Sequence, residues 1–206
     1  MKKNHFALLL LCALTFGCSM QKNNLPVQVE VGEALFVTLP TPAMLGHSLN
    51  VSQLITAQWA QTKQQKLQMQ LQVDAKRVVL VGFSAWGSPI LRLTYTGEQI
   101  QTSVMAGLED KLPKPEQVLL NLMLALWPVS SWQKPLDQIG WKLIERGLLR
   151  KLIDQQGNIV AEVRYQTRPA IAGLIQFRHH QLNYTISIET HKTDSETETD
   201  SETQRQ

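Results

Sequence analysis

Cysteine is nearly absent from this chain. There are two in 206 residues, Cys12 and Cys18, both within the first eighteen positions. The body that follows has no disulfide and no cysteine metal site, and about 150 residues can bury enough apolar surface to fold without staples. Aromatic residues are scarce at 6% and charged residues make up 18%. No basic cluster interleaved with aromatics is present, so nucleic acid is not expected as a partner. Long hydrophobic runs are missing too. The uncharged apolar stretch from Phe6 to Phe16 would span roughly 16 Å as a helix, about half a hydrocarbon core, and is too short to cross a membrane. Catalytic signatures are also lacking. There is no Gly-x-Ser-x-Gly elbow, no His-Glu-x-x-His pair and no phosphate-cradling glycine loop, and no cofactor is expected.

What is present begins with the leader. Lys2 and Lys3 precede the apolar stretch, which ends at Gly17-Cys18, the layout of a signal peptide over residues 1–17. Thr15-Phe16-Gly17-Cys18 resembles a bacterial lipobox, which implies cleavage before Cys18 and its acylation. The membrane would then be a partner through N-terminal acyl groups, with the body in water. Ser19 follows, not the Asp that tends to retain lipoproteins in the inner membrane, so the resemblance implies the outer membrane, periplasmic face.

The net charge of +3 mixes unlike parts. Without Lys2, Lys3 and residues 194–206 the body holds 17 basic and 12 acidic residues, or +5. The last thirteen residues repeat Asp-Ser-Glu-Thr and contain no apolar side chain, so residues 193–206 are expected to be a disordered acidic tail.

Residues 18–45 are expected to form the lipidated N-terminus and a tether, with residues 27–31 either a short strand or part of that tether. From residue 51 to 105 strand follows strand. Residues 66–73 alternate strictly, placing Leu67, Met69, Leu71 and Val73 on one face and Lys66, Gln68, Gln70 and Gln72 on the other, the pattern of a sheet with one dry face. Residues 77–83 form a Val-rich strand after a turn at 74–76, and residues 90–95 and 99–102 flank a turn at Thr96-Gly97-Glu98. Residues 116–127 are helical and stopped by Pro128, with apolar residues on most sides, so this helix should be buried. A loop or short helix carrying Trp132 follows. Further strands are expected at 141–144, 148–153, 159–165, 174–177 and 182–188. His179 and His180 are adjacent and point to opposite faces, which disfavours joint metal binding; no metal site is expected.

Strands, a central helix ending in Trp127-Pro128 and further strands resemble the LolA/LolB-like group of periplasmic lipoprotein carriers. Residues 79–93 (VLVGFSAWGSPILRL) and 115–128 (PEQVLLNLMLALWP) resemble a family of bacterial lipoproteins associated with aryl polyene or fatty-acid-type biosynthesis clusters. The resemblance covers roughly residues 46–188 and implies an α+β domain over residues 46–192: a curved antiparallel sheet, an incomplete β-barrel, with a buried central helix over an apolar cavity. The expected role is non-catalytic binding of a hydrophobic or acylated ligand, such as a lipid, polyene or acylated-protein cargo, and help with its transfer or insertion, by a monomer. A scaffolding lipoprotein that recruits biosynthetic or export partners and a periplasmic acyl hydrolase or transferase are the alternatives. Candidate lining residues are Trp59, Leu67, Met69, Leu71, Val79, Val81 and Leu93. By the same resemblance Trp86, in the segment 84–89, is the candidate membrane-contact tip of a loop; its other reading is a core residue.

Overall fold

A computed structural model describes residues 26–59, 64–109 and 112–193. Cys18, the leader and the acidic tail from residue 194 lie outside the described residues. The chain opens with a hairpin, β1 (Gln28–Gly32) and β2 (Leu35–Thr38), and a single 3-10 turn at Pro42–Leu45. Five antiparallel strands follow: β3 (Leu49–Trp59), β4 (Gln65–Val73), β5 (Val78–Phe83), β6 (Pro89–Tyr95) and β7 (Ile100–Val104). Helices α1 (Pro115–Leu126) and α2 (Val129–Asp137) come next. Five more strands complete the fold: β8 (Lys142–Arg146), β9 (Leu149–Ile153), β10 (Ile159–Tyr165), β11 (Ile175–His179) and β12 (Tyr184–Thr193).

Strands β3 to β12 form one antiparallel sheet in the order β7-β6-β5-β4-β3-β12-β11-β10-β9-β8. Each half is a meander, and the long pair β3–β12 joins them, with Ile55 opposite Ile188 and Trp59 opposite Tyr184. The sheet stays open, with β7 and β8 as its edges. It must also curve. Helix α1 contacts both β6 and β11, five strand spacings apart, or about 24 Å on a flat sheet, whereas a helix is only about 10–12 Å across. The sheet therefore wraps the helix as a curved open sheet.

Helix α1 starts at Pro115, whose fixed φ suits the first helical position, with Glu116 in the first turn. From Leu119 to Ala125 every residue is buried, because the sheet covers one side and the β1–β2 hairpin another. Trp127 and Trp132 are fully buried on the same core. No described helix is long and apolar enough to cross a membrane.

The folded body begins earlier than residue 46. Val29, Val31, Val37, Leu39 and Leu45 are buried in the main core, and the Leu39 amide donates to the Val27 carbonyl at 3.0 Å. Residues 27–45 are thus a core element and not tether. The reason is visible in Val27, Val29 and Val31, whose alternation gives one apolar face, and β1 contacts α1.

Candidate functional site

The concave face of the sheet and the first turns of α1 enclose a cavity of about 740 Å³. Its floor is built by register. Ile188 on β12, Ile55 on β3 and Leu67 on β4 lie directly opposite one another, so their side chains share one face. Gly82 on β5 sits opposite both Met69 and Leu91. A Cβ there would stand 3.1 Å from Leu67 Cδ2 and 3.3 Å from Leu91 Cβ, so the glycine lets those side chains close over the strand. Val118 and Leu122 of α1 form part of the roof.

The cavity runs toward the sheet end that carries the last residue of β3, the first of β4 and the last of β5. Trp59, Gln65, Phe83, Ser84, Ala85, Pro113 and Leu182 line that end. Here the β5–β6 connection closes as a tight loop. The Ser84 amide donates to the Ser88 carbonyl at 2.8 Å, the Gly87 amide to the Ser84 carbonyl at 2.9 Å, and Gly87 takes a φ of 80°, the left-handed step of a three-residue hairpin loop. Trp86 stands at its tip, 94% exposed. Leu182, at the β11–β12 turn, is 61% exposed. The mouth therefore carries unburied apolar side chains beside exposed Lys66 and Lys114.

Of the predicted lining residues, Trp59, Leu67 and Met69 line the cavity. Leu71 and Leu93 share the concave face but are fully buried in the packed core, away from it. Val79 and Val81 are corrected: they project from the convex face. Register decides this, since Leu71 pairs with Leu80 and Gln70 with Val81, so Leu80 faces inward with Leu71 and the two valines face outward with the glutamines. In an all-apolar strand, alternation offers no parity to read. Trp86 is not a core residue. Ile55, Leu80, Leu91, Ile186 and Ile188, missed from the sequence, follow once Leu67 and Met69 are placed and the register is known.

Two polar side chains sit within the apolar wall. Gln53 donates from Nε2 to Thr190 Oγ1 at 3.3 Å. Asn121 of α1 donates from Nδ2 to the Tyr184 hydroxyl oxygen at 2.8 Å. Burial pushes the Tyr184 phenol up to about 12, so it is neutral at any physiological pH. Its ring packs against Phe177 and His179, with centroids 6.2 and 5.1 Å apart. His179 is buried while His180 is exposed, opposite faces as expected. Burial first, and then the neighbouring His180, push the His179 imidazole down to about 4. Neutral His179 accepts the Leu182 amide at Nδ1, 3.2 Å away, and so pins the turn at the mouth. Among the described residues no three His, Cys, Asp or Glu side chains group as a metal site.

The family model described as "Protein of unknown function (DUF3261)" matches residues 50–192. The chain belongs to the DUF3261 family. In this DUF3261 protein the match runs from β3 to β12 and includes both helices, so the cavity floor and roof lie within it. No curated protein matches the chain in sequence. Among solved structures it is similar to a LolA superfamily protein from Nitrosomonas europaea, at 8% identity and a TM-score of 0.43, covering 75% of this chain and 89% of that one. A domain from Vibrio parahaemolyticus assigned to outer membrane lipoprotein sorting gives 6% identity and a TM-score of 0.43, covering 74% and 86%. A DUF1329 family protein from Desulfovibrio piger gives 6% and 0.38, covering 78% and 95%. Likenesses at these scores carry no argument about what the DUF3261 chain binds.

Proposed function

We propose that this DUF3261 protein is a lipid-anchored carrier, held at Cys18 on the periplasmic face of the outer membrane, that takes an amphiphile's apolar chain into its cavity and hands it to the bilayer. The observation that supports this reading is the cavity itself. At about 740 Å³ it lies within the roughly 300–1,000 Å³ of small-molecule sites, and leucine, isoleucine and methionine form most of its floor. Transfer of a chain of about ten methylenes into such a site is worth on the order of 8 kcal/mol before binding costs. Extraction and release then need no chemical step, and the role is non-catalytic. Cargo of the fitting kind includes lipids, polyene-bearing lipids and acylated proteins.

Native mass spectrometry of the Cys18→Ala protein, incubated with a lipid extract of its host, tests the carrier reading. We expect an added mass from a bound amphiphile. A protein that stays ligand-free across extracts would contradict the cavity role and favour a scaffold that only recruits partners.

Trp86 has a separate part in this reading. An indole 94% exposed on a short hydrogen-bonded loop at the cavity mouth suits a membrane interface. Trp86→Ser is expected to slow transfer of bound ligand to vesicles about tenfold while leaving affinity and stability unchanged, because the side chain packs on nothing. Equal transfer rates in stopped-flow fluorescence would remove the loop from the mechanism.

A further inference from the structure

Asn121 and Tyr184 meet in the cavity wall, and that pair is not complete. Asn121 is 7% exposed, its Nδ2 is used on Tyr184, and its Oδ1 has no hydrogen-bond partner among the described residues. Buried polar atoms in folded proteins are nearly always satisfied, and an orphaned acceptor is destabilising. A second orphan, Trp132 Nε1, sits in the packed core and does not line the cavity; Asn121 does. The Tyr184 oxygen, having accepted from Nδ2, still carries its own hydrogen to donate. Asn121 Oδ1 and the Tyr184 hydroxyl therefore offer one acceptor and one donor side by side, and Asn121 Nδ2 keeps a second N–H.

Resting on the carrier reading, we propose that the cavity selects amphiphiles whose apolar chain bears an uncharged hydroxyl or amide group, lodged against Asn121 and Tyr184. A hydroxyl both donates and accepts, and so does an amide; either completes both halves of the pair. A carboxylate only accepts. It would serve the Tyr184 hydroxyl while setting negative charge against Asn121 Oδ1, at the desolvation cost of a buried charge. The lining cations, Lys66 and Lys114, stand exposed to water. An alkane of the same length would fill the space and leave the orphan as it is.

Displacement of Nile red by dodecanol, dodecanamide, dodecane and dodecanoate, in wild type, Asn121→Leu and Tyr184→Phe, tests this. In wild type we expect dodecanol and dodecanamide to gain on dodecane, and the dodecanol-to-dodecane affinity ratio to fall about tenfold in Asn121→Leu and several-fold in Tyr184→Phe. Asn121→Leu removes the orphaned acceptor but also leaves the Tyr184 hydroxyl without its partner, so its urea midpoint should stay near that of wild type. A ratio unchanged in both variants would overturn the proposal. So would tighter binding of dodecanoate that survives Asn121→Leu, which would put the head group at the rim lysines. If none of the four displaces Nile red from wild type, the carrier reading fails, and this proposal fails with it.

Discussion

Arg150→Met is expected to cost about 3–5 kcal/mol of stability, read as a lower urea midpoint. Arg150 is 3% exposed and reaches from β9 to the end of α1, where Nη1 donates to the carbonyls of Leu124 at 2.6 Å, Ala125 at 3.3 Å and Trp127 at 2.9 Å. Helix α1 has no basic residue in its own last turn, so this guanidinium supplies the cation that the negative helix end favours and satisfies its free carbonyls. Directly across on β8, Glu145 accepts from Nε at 2.7 Å and lies 2.6 Å from Nη2. Methionine matches the length and apolar stem but takes the donor from the Leu124 and Trp127 carbonyls, while Ala125 keeps the Tyr165 hydroxyl at 2.7 Å. Arg168 also reaches Glu145, at 2.9 Å, and stacks 3.9 Å above the Tyr165 ring. Being partly exposed, Arg168 should cost about 1 kcal/mol or less when truncated.

The same substitution changes the acid limb of stability. Burial alone would raise the Glu145 carboxyl, but Arg150 and then Arg168 hold it below its ordinary value of 4.5. A folded-state value below the unfolded one means that the ion pair stabilises fully above that ordinary value and is lost as the pH falls through the folded value. In Arg150→Met only Arg168 remains as partner, so the fall in stability as the pH drops below the ordinary value of 4.5 should be shallower. A variant as stable as wild type at about pH 7, with an unaltered acid limb, would show that Arg150 does not hold the helix end.

Arg150 also marks where reading from sequence stops. Residues 149–153 read as an apolar strand interrupted by Arg150 and Lys151, and a charged residue in such a strand is ordinarily assigned to the wet face. Here the arginine faces the core and Leu149 turns outward with Lys151, because the end of α1 needs a cation that no local pattern announces. By contrast, β4 was readable residue by residue: four apolar positions alternate with Lys and Gln, and the dry face is the concave one. The buried helix was readable too, since apolar residues surround it. Strand β5 failed for the opposite reason, as RVVLVGF has no polar beat and Val79 and Val81 could not be told from Val78 and Leu80 without the register to β4. Asn121 did carry a signal. The one amide in the run VLLNLMLALW is a polar group in a helix expected to be buried, and such a group has to find a partner. Its partner, Tyr184, lies on the last strand, beyond any local pattern.

Parity supplies the second large effect. Ile55→Trp is expected to weaken binding of Nile red and of alkyl ligands about hundredfold, whereas Leu54→Trp, one residue away, should change it less than about twofold. Ile55 lies at the middle of the cavity floor between Ile188 and Leu67, and an indole placed there projects into open space. It takes up room for about four methylenes, each worth about 0.8 kcal/mol, which amounts to about two decades of affinity. Because the added atoms enter a void, the overpacking cost to the fold should stay near the low end of about 1–3 kcal/mol. Leu54 pairs with Gln68 and Glu189 on the convex face, where a larger side chain meets solvent. Fluorescence titration of the two variants separates the cavity from every other apolar surface of the molecule. Equal losses in both would point to general disturbance of β3, and no loss in Ile55→Trp would place the ligand outside the curved sheet.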